Sequence, residues 1–223
     1  MTLPLITVVS CGLSRLAKPC LDSVAEQLDV VVDHRCVFVD QQSPRLTKIE
    51  NILSTLRHMP DDRIVALVDL DDSLYQRGAL RLVAALHAAG AWLTYGSFRY
   101  ADGRSGFAGP YAPGESVRTS RWRATHLKTF RAGLFNAIRH DDLKHPGEGG
   151  EPTWIDRADD VAFMLPMLEM AGHSRSVFTP EVLYTYDLST SFEFTATTEE
   201  RRHEKRIDQY VRGLPPYAQR ETL

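Results

Sequence analysis

What this chain has little of narrows its nature first. Its 223 residues hold three cysteines (Cys11, Cys20, Cys36), an odd number without the spacing of a metal site or disulfide framework. Reduced thiols in a cytoplasmic setting are the expectation. No apolar run approaches the roughly 20 residues needed to span a bilayer. The opening "MTLPLITVVS" lacks the basic start and small-residue cleavage site of a signal peptide. No charge dominates: the formal net charge of −3 gives no global pull toward nucleic acid or anionic membrane. Repeats and low-complexity segments are absent as well. What remains is a hydrophobic share of 43% and a charged share of 25%, the composition of a globular protein with a full core.

The apolar pattern alternates between two periods. "LPLITVV" (residues 3–9), "CVFVD" (36–40), "RIVALVD" (63–69) and "AWLTYGSF" (91–98) are short β-branched runs that read as buried strands. Between them, helical spacing links Leu13, Leu16, Ala17, Cys20, Leu21 and Val24, with Pro19 in the first turn. Leu46, Ile49, Leu53 and Leu56 mark a second helix, and "GALRLVAALHAAG" a third. Four strands alternating with three helices predict a parallel sheet built of βαβ units. The Gly/Pro-rich stretch from Arg99 to Arg123 reads as a long loop, of the kind that tends to be functional. "THLKTFRAGLFNAI" has helical spacing through Leu127, Phe130, Leu134 and Ile138, and "HPGEGGEP" reads as a flexible connection. "DRADDVAFMLPMLEMAG" predicts a helix with an acidic first turn and a disturbance at Pro166, and "SVFTPEVLYTYD" a late strand. From Thr197 onward a charged helix with little apolar face is expected to be peripheral.

The chemistry concentrates in carboxylates. Asp40 ends the second strand, and Asp69, Asp71 and Asp72 end the third, so the sheet's carboxyl edge should gather all four. Crowded carboxylates need a cation, and an oxygen-only set suits Mg²⁺ or Mn²⁺. The plainer reading has Asp71 and Asp72 capping the next helix. Between Arg118 and His145, seven basic residues (Arg118, Arg121, Arg123, Lys128, Arg131, Arg139, Lys144) face two acids, Asp141 and Asp142. A solvated helix face explains such a run. A clamp on phosphates by Lys128 and Arg131, which share a helix face at this spacing, is the sharper reading, as is contact with an anionic acceptor. His126 could add a metal or phosphate contact, and Trp122 or Trp154 could stack on a sugar ring.

Two families write strings like these. "VALVDLDDSL" resembles the D-x-D-x-T-L nucleophile motif of haloacid-dehalogenase-like phosphatases, which would make Asp69 a nucleophile and Asp71 its acid/base. That motif belongs on a first strand, and here it lies on the third. Five segments in order resemble the family 2 glycosyltransferases of GT-A fold. These are "ITVVSCGLSRLAKPCLDSVAEQ", "CVFVDQQS", "VALVDLDDSL" for the D-x-D motif, "RADDVAFMLPMLEMAG" for the acidic pair before a helix, and "EVLYTYDLSTSFE". Gln41 stands where that family has a second acid. A small soluble viral or bacterial branch is the nearest in character.

The resemblance implies one α/β domain of GT-A (Rossmann-like) fold, with a central, mostly parallel sheet flanked by helices. Residues 1–98 would form the nucleotide-sugar half, 99–196 the acceptor half and 197–223 a charged C-terminal helix or tail. It implies a metal-dependent, inverting transfer of a sugar from a nucleotide-diphosphate-sugar to an acceptor hydroxyl on a glycan, small molecule or nucleic acid. Ser10, Cys11 and Asp40 would lie against the nucleotide, and Asp69 against the ribose or metal. Asp71 would coordinate Mn²⁺ or Mg²⁺, and Lys128 and Arg131 would meet the phosphates. Asp160 is the candidate base, with Asp159 beside it and Asp156 a turn earlier; all three could instead serve the helix dipole. A non-catalytic domain that keeps the sugar-nucleotide fold is the third reading.

Overall fold

The computed structural model describes residues 3–189 and 195–223. One seven-stranded sheet organises them, in the order β2 (Val31–Phe38), β1 (Leu5–Gly12), β3 (Ile64–Leu67), β6 (Lys128–Arg131), β5 (Leu93–Tyr100), β9 (Ser176–Tyr186) and β4 (Ser73–Leu74). β1 pairs in parallel with both β2 and β3, and β5 with β9. β6 runs antiparallel between β3 and β5, and β4 antiparallel to β9. Five strands thus share one direction. A two-stranded ribbon of β7 (Lys144–Pro146) and β8 (Pro152–Trp154) stands apart. The "HPGEGGEP" stretch joins them in a tight turn, with Gly147 N–H donating to the Glu151 carbonyl at 2.8 Å.

Alternation along the strands builds two cores. Val9, Val65, Leu67 and Phe130 face one side, against α2 (Lys48–Leu56), α4 (Ala132–Asn136), α5 (Asp159–Ala171) and α6 (Thr198–Gly213). Ile6, Val8, Ala66 and Val68 face the other, against α1 (Lys18–Ala25) and α3 (Ala79–Ala88). Pro19 sits in the first turn of α1, as its spacing implies. α5 is apolar nearly all round because it is buried nearly all round, and it runs through Pro166 as one element.

Two expected helical segments differ. "THLKTFRAGLFNAI" opens as strand β6 and turns helical only at Ala132, because Thr129 and Phe130 are consumed by pairing with Ala66 and Val65. A strand and a short helix in series mimic one helical period. The charged C-terminal helix is not peripheral. Thr197 and Glu200 form a reciprocal capping box at its start, and Ile207 and Val211 are buried in the core beside α5. The last strand, β9, ends at Tyr186; residues 190–193 of the "EVLYTYDLSTSFE" segment lie outside the described residues.

Candidate active site

The strand period decides which predicted residues meet. On β1, Cys11 shares the face of Val9 and lies near Lys48, Asp69 and Asp159, while Ser10 shares the face of Ile6 and Val8. Ser10 is fully buried there, bonded to Cys20 Sγ at 3.4 Å and His34 Nε2 at 3.0 Å, on the face away from Cys11. Burial pushes the Cys11 thiol up to about 12, which leaves it unreactive. All three cysteines are free thiols. Asp40 stands in a short turn of 3₁₀ helix after β2, exposed, and accepts from Ser14 N–H at 2.8 Å and Ser14 Oγ–H at 2.6 Å. It pins the loop after β1 to the end of β2.

β3 stops at Leu67, and Asp69 to Asp72 form a turn closed by Asp72 N–H donating to the Asp69 carbonyl at 3.0 Å. Asp72 caps no helix, since Gly78 precedes α3. It is buried, accepting the Tyr184 hydroxyl at 2.7 Å and Asp187 N–H at 2.8 Å, and so ties the turn to β9. Burial first, then the charges of Asp69 and Asp71, push its carboxyl well above the ordinary range.

Asp69 points into an ionic cluster on the α2/α5 side. Lys48 Nζ lies 2.8 Å from Asp69 Oδ1 and 2.9 Å from Oδ2, and 3.5 Å from Asp159 Oδ2. Lys48 is the residue that pattern reading overlooked. Its signal was the string "TKIE": Thr47 and Glu50 form a capping box that starts α2 there, setting Lys48 in the first turn at the sheet's carboxyl edge. Lys128 opens β6 opposite Leu67, on the same edge; it is 1% exposed and pairs with the Asp160 carboxylate. Its Nζ also lies 3.4 Å from each ring nitrogen of His126, whose ring stacks on Tyr184 at 4.4 Å between centroids.

Asp159 and Asp160 form the first turn of α5, turned in by Ala158 in a left-handed conformation (φ 51°). Such backbone for a non-glycine residue costs about 1–2 kcal/mol, and strain of this kind gathers at functional sites. Their environments diverge. Burial raises Asp159, and Lys48 only partly offsets it. Burial opposes ionisation of Asp160 too, but Lys128 and then Lys48 outweigh it and hold the carboxyl well below its ordinary value. For Asp69 the balance is likewise burial against Lys48, with a net lowering. Burial and the Lys128 charge hold His126 down at about 3, hence neutral. Among the described residues, Asp159 Oδ2 and Asp160 Oδ1 are buried without a hydrogen-bond partner.

Above this cluster opens a cavity of about 570 Å³, a size that suits a small ligand. Lys48, Asp69, His126, Asp159 and Asp160 form its polar floor, and Phe98, Tyr100, Phe107, Trp122 and Tyr186 an aromatic wall. Helix α6 adds Arg201, Glu204, Lys205 and Asp208, which the expectation of a peripheral helix had left out. Asp156 lies at the rim.

The basic run does not act together. Residues three apart on a strand face opposite ways, so Arg131 leaves Lys128 and donates to the carbonyls of Ala91, Asp62 and His87. Arg118 is bidentate on Glu169 at 2.7 and 2.8 Å, Arg139 bonds Asp142 at 2.8 Å, and Arg123 pairs with Glu115. Of the two expected clamp residues, only Lys128 reaches the cluster.

No family model matches the chain, and no curated protein matches its sequence. Solved structures do match. A crystal structure of S. aureus TarS 1–349, a GT-A-type glycosyltransferase, aligns at TM-score 0.57 and 12% identity over 92% of this chain and 65% of that one. Its complex with UDP-GlcNAc aligns at TM-score 0.56 and 12% identity, over 94% and 65%. Its complex with UDP aligns at 0.53 and 13%, over 92% and 65%. This chain therefore spans just under two thirds of the TarS fragment. No helix among the described residues is long and apolar enough to cross a membrane. The chain is a mixed α/β domain whose fold is similar to the GT-A-type fold of TarS.

Proposed function

We propose that this chain is a glycosyltransferase that moves a sugar from a nucleotide-diphosphate-sugar to an acceptor hydroxyl, with inversion. The observation that carries the reading is the cluster of Lys48, Asp69, Lys128, Asp159 and Asp160 beneath an open cavity, with the buried Asp160 Oδ1 lacking a hydrogen-bond partner among the described residues, in a fold whose TarS example is complexed with UDP-GlcNAc. Residues 1–98 supply the donor half, 99–196 the acceptor half and α6 the far wall. Asp160 is the proton acceptor. Lys128 keeps it ionised at neutral pH, and its Oδ1 accepts no other hydrogen bond among the described residues. Asp159, whose carboxyl burial pushes up, is the alternative proton acceptor and sets the position of Lys48. A single base with direct displacement inverts the anomeric centre.

The donor set fits a hard divalent cation. The turn after β3 crowds Asp69 and Asp71 so closely that their charges help to raise Asp72. Asp71 would be the main protein ligand, with Asp69 shared between the ion and Lys48. When bound, Mn²⁺ or Mg²⁺ would offset charge on the donor's diphosphate. The Lys48 ammonium holds Asp69 in place whether or not an ion is bound.

The test is a thermal-shift screen of nucleotide-sugars, each with and without Mn²⁺. A donor at 100 times its Kd stabilises by about 2.7 kcal/mol, or roughly 5–11 °C for a chain of this size. Asp71→Ala should abolish the metal-dependent part of the shift, and Asp160→Asn should keep the shift but lose nucleoside diphosphate release. A flat response to every donor, or phosphoryl-mimic trapping on Asp69 by beryllofluoride, overturns the reading. Donor binding without turnover on any acceptor points to the non-catalytic alternative.

A further inference from the structure

Beside the cavity, outside the carboxylate cluster, a second group of metal-ligating side chains converges from three elements. His145 belongs to β7, Asp156 to the segment between β8 and α5, and His203 to α6. One ligand atom from each lies within 4.8 Å of the others. Asp156 Oδ1 and His203 Nε2 already stand 2.9 Å apart, and the two imidazole rings meet at 63° with centroids 5.8 Å apart. A tetrahedral ion with bonds of about 2.1 Å keeps its ligand atoms about 3.4 Å apart. Small torsional changes in half-exposed side chains reach that.

The surroundings prepare His145 for coordination. Its Nδ1 lies 3.0 Å from the Pro146 carbonyl oxygen, which can only accept, so Nδ1 carries the proton and Nε2 keeps a lone pair, which meets the Thr153 hydroxyl at 3.3 Å and would have to exchange that contact for the ion. On metal binding, the proton that His203 Nε2 shares with Asp156 moves to Nδ1 or to solvent. Two imidazoles and one carboxylate, with a fourth position open to water, suit a borderline ion such as Zn²⁺ better than Mg²⁺ or Mn²⁺.

We propose that His145, Asp156 and His203 form a Zn²⁺ site that staples the β7–β8 ribbon to α6. The staple would fix the helix whose Arg201, Glu204, Lys205 and Asp208 line the cavity. It is distinct from the carboxylates of the β3 turn and does not depend on the glycosyltransferase reading.

The experiment titrates the chelator-treated 223-residue chain with Zn²⁺, and separately with Co²⁺. One tightly held ion per chain besides any at Asp69 and Asp71, a raised melting temperature and the visible absorption bands of four-coordinate Co²⁺ are expected. His145→Ala and His203→Ala should each weaken Zn²⁺ binding at least tenfold, whereas Asp71→Asn should leave it unchanged. Absence of the Co²⁺ bands in the unmutated protein overturns the proposal whether or not the variants fold. So does Zn²⁺ binding that survives His145→Ala/His203→Ala, or that is lost in Asp71→Asn.

Discussion

Lys128 and Asp160 give the sharpest quantitative test of the site. Lys128 is 1% exposed, and its ammonium is opposed by the Asp160 carboxylate, with a neutral His126 ring as its other near neighbour. Removing the charge of Asp160 leaves that ammonium buried without its contact partner, only Asp69 and Asp159 acting on it from further off, a change that costs about 3–5 kcal/mol. The Asp160 side chain is 29% exposed and His126 offers a lone pair, so the lower end of that range applies. Asp160→Asn should therefore lose about 3 kcal/mol in chemical denaturation. At roughly 2–4 °C per kcal/mol for a chain of this size, the melting point should fall by about 6–12 °C. Lys128→Met/Asp160→Asn removes both charges and fills the channel with a side chain of similar length; it should lose less than about 1.5 kcal/mol.

The pH dependence follows the same pair. Asp160 has a folded pKa below its ordinary 3.8, so its contribution is present above that value and lost as pH falls below it toward the depressed one. Unfolding of the native chain should steepen in that acid window relative to the double variant. If the double variant is as unstable as the sum of the two single ones, Lys128 and Asp160 are not energetically coupled and the reasoning fails.

Asp72 has the opposite sign. Its folded pKa lies well above 3.8, so its contribution is full below that value and declines as pH rises through the folded one. The stability advantage of the native chain over Asp72→Asn should shrink between acid and alkaline pH; a gap that widens with pH would show that the ionised carboxylate is the stabilised form. Gly106 packs its Cα against Phe98, and an added Cβ would fall on that ring, which lines the cavity and meets His126 edge-on. Gly106→Ala should cost about 1–3 kcal/mol and weaken donor-induced stabilisation. A variant with unchanged stability and ligand response would remove Phe98 from the cavity wall.

The order of elements was legible in the sequence, because strand and helix periods are local. Buried runs such as "RIVALVD" and the acidic start of α5 declare themselves within a few residues. Asp69, Asp159 and Asp160, each singled out in the sequence, line one cavity. Local reading failed where two states share a period over a short window: β6 and α4 in series imitate a helix, and that put Arg131 beside Lys128. It failed also where a partner is distant in the chain. Asp72 finds Tyr184 and Asp187 more than a hundred residues away, which no cap rule anticipates.

By itself, then, the sequence determined an α/β chain with carboxylates at the carboxyl edge of its sheet, and its five ordered segments pointed to the glycosyltransferase fold. Only the tertiary structure decided which cations meet those carboxylates. Lys48 and Lys128 come from elements separated by the third, fourth and fifth strands, and burial beside Asp69 and Asp160 is what makes each pairing obligatory. Charge spacing along a chain cannot report that, because the need for a counter-ion arises only when folding removes the water.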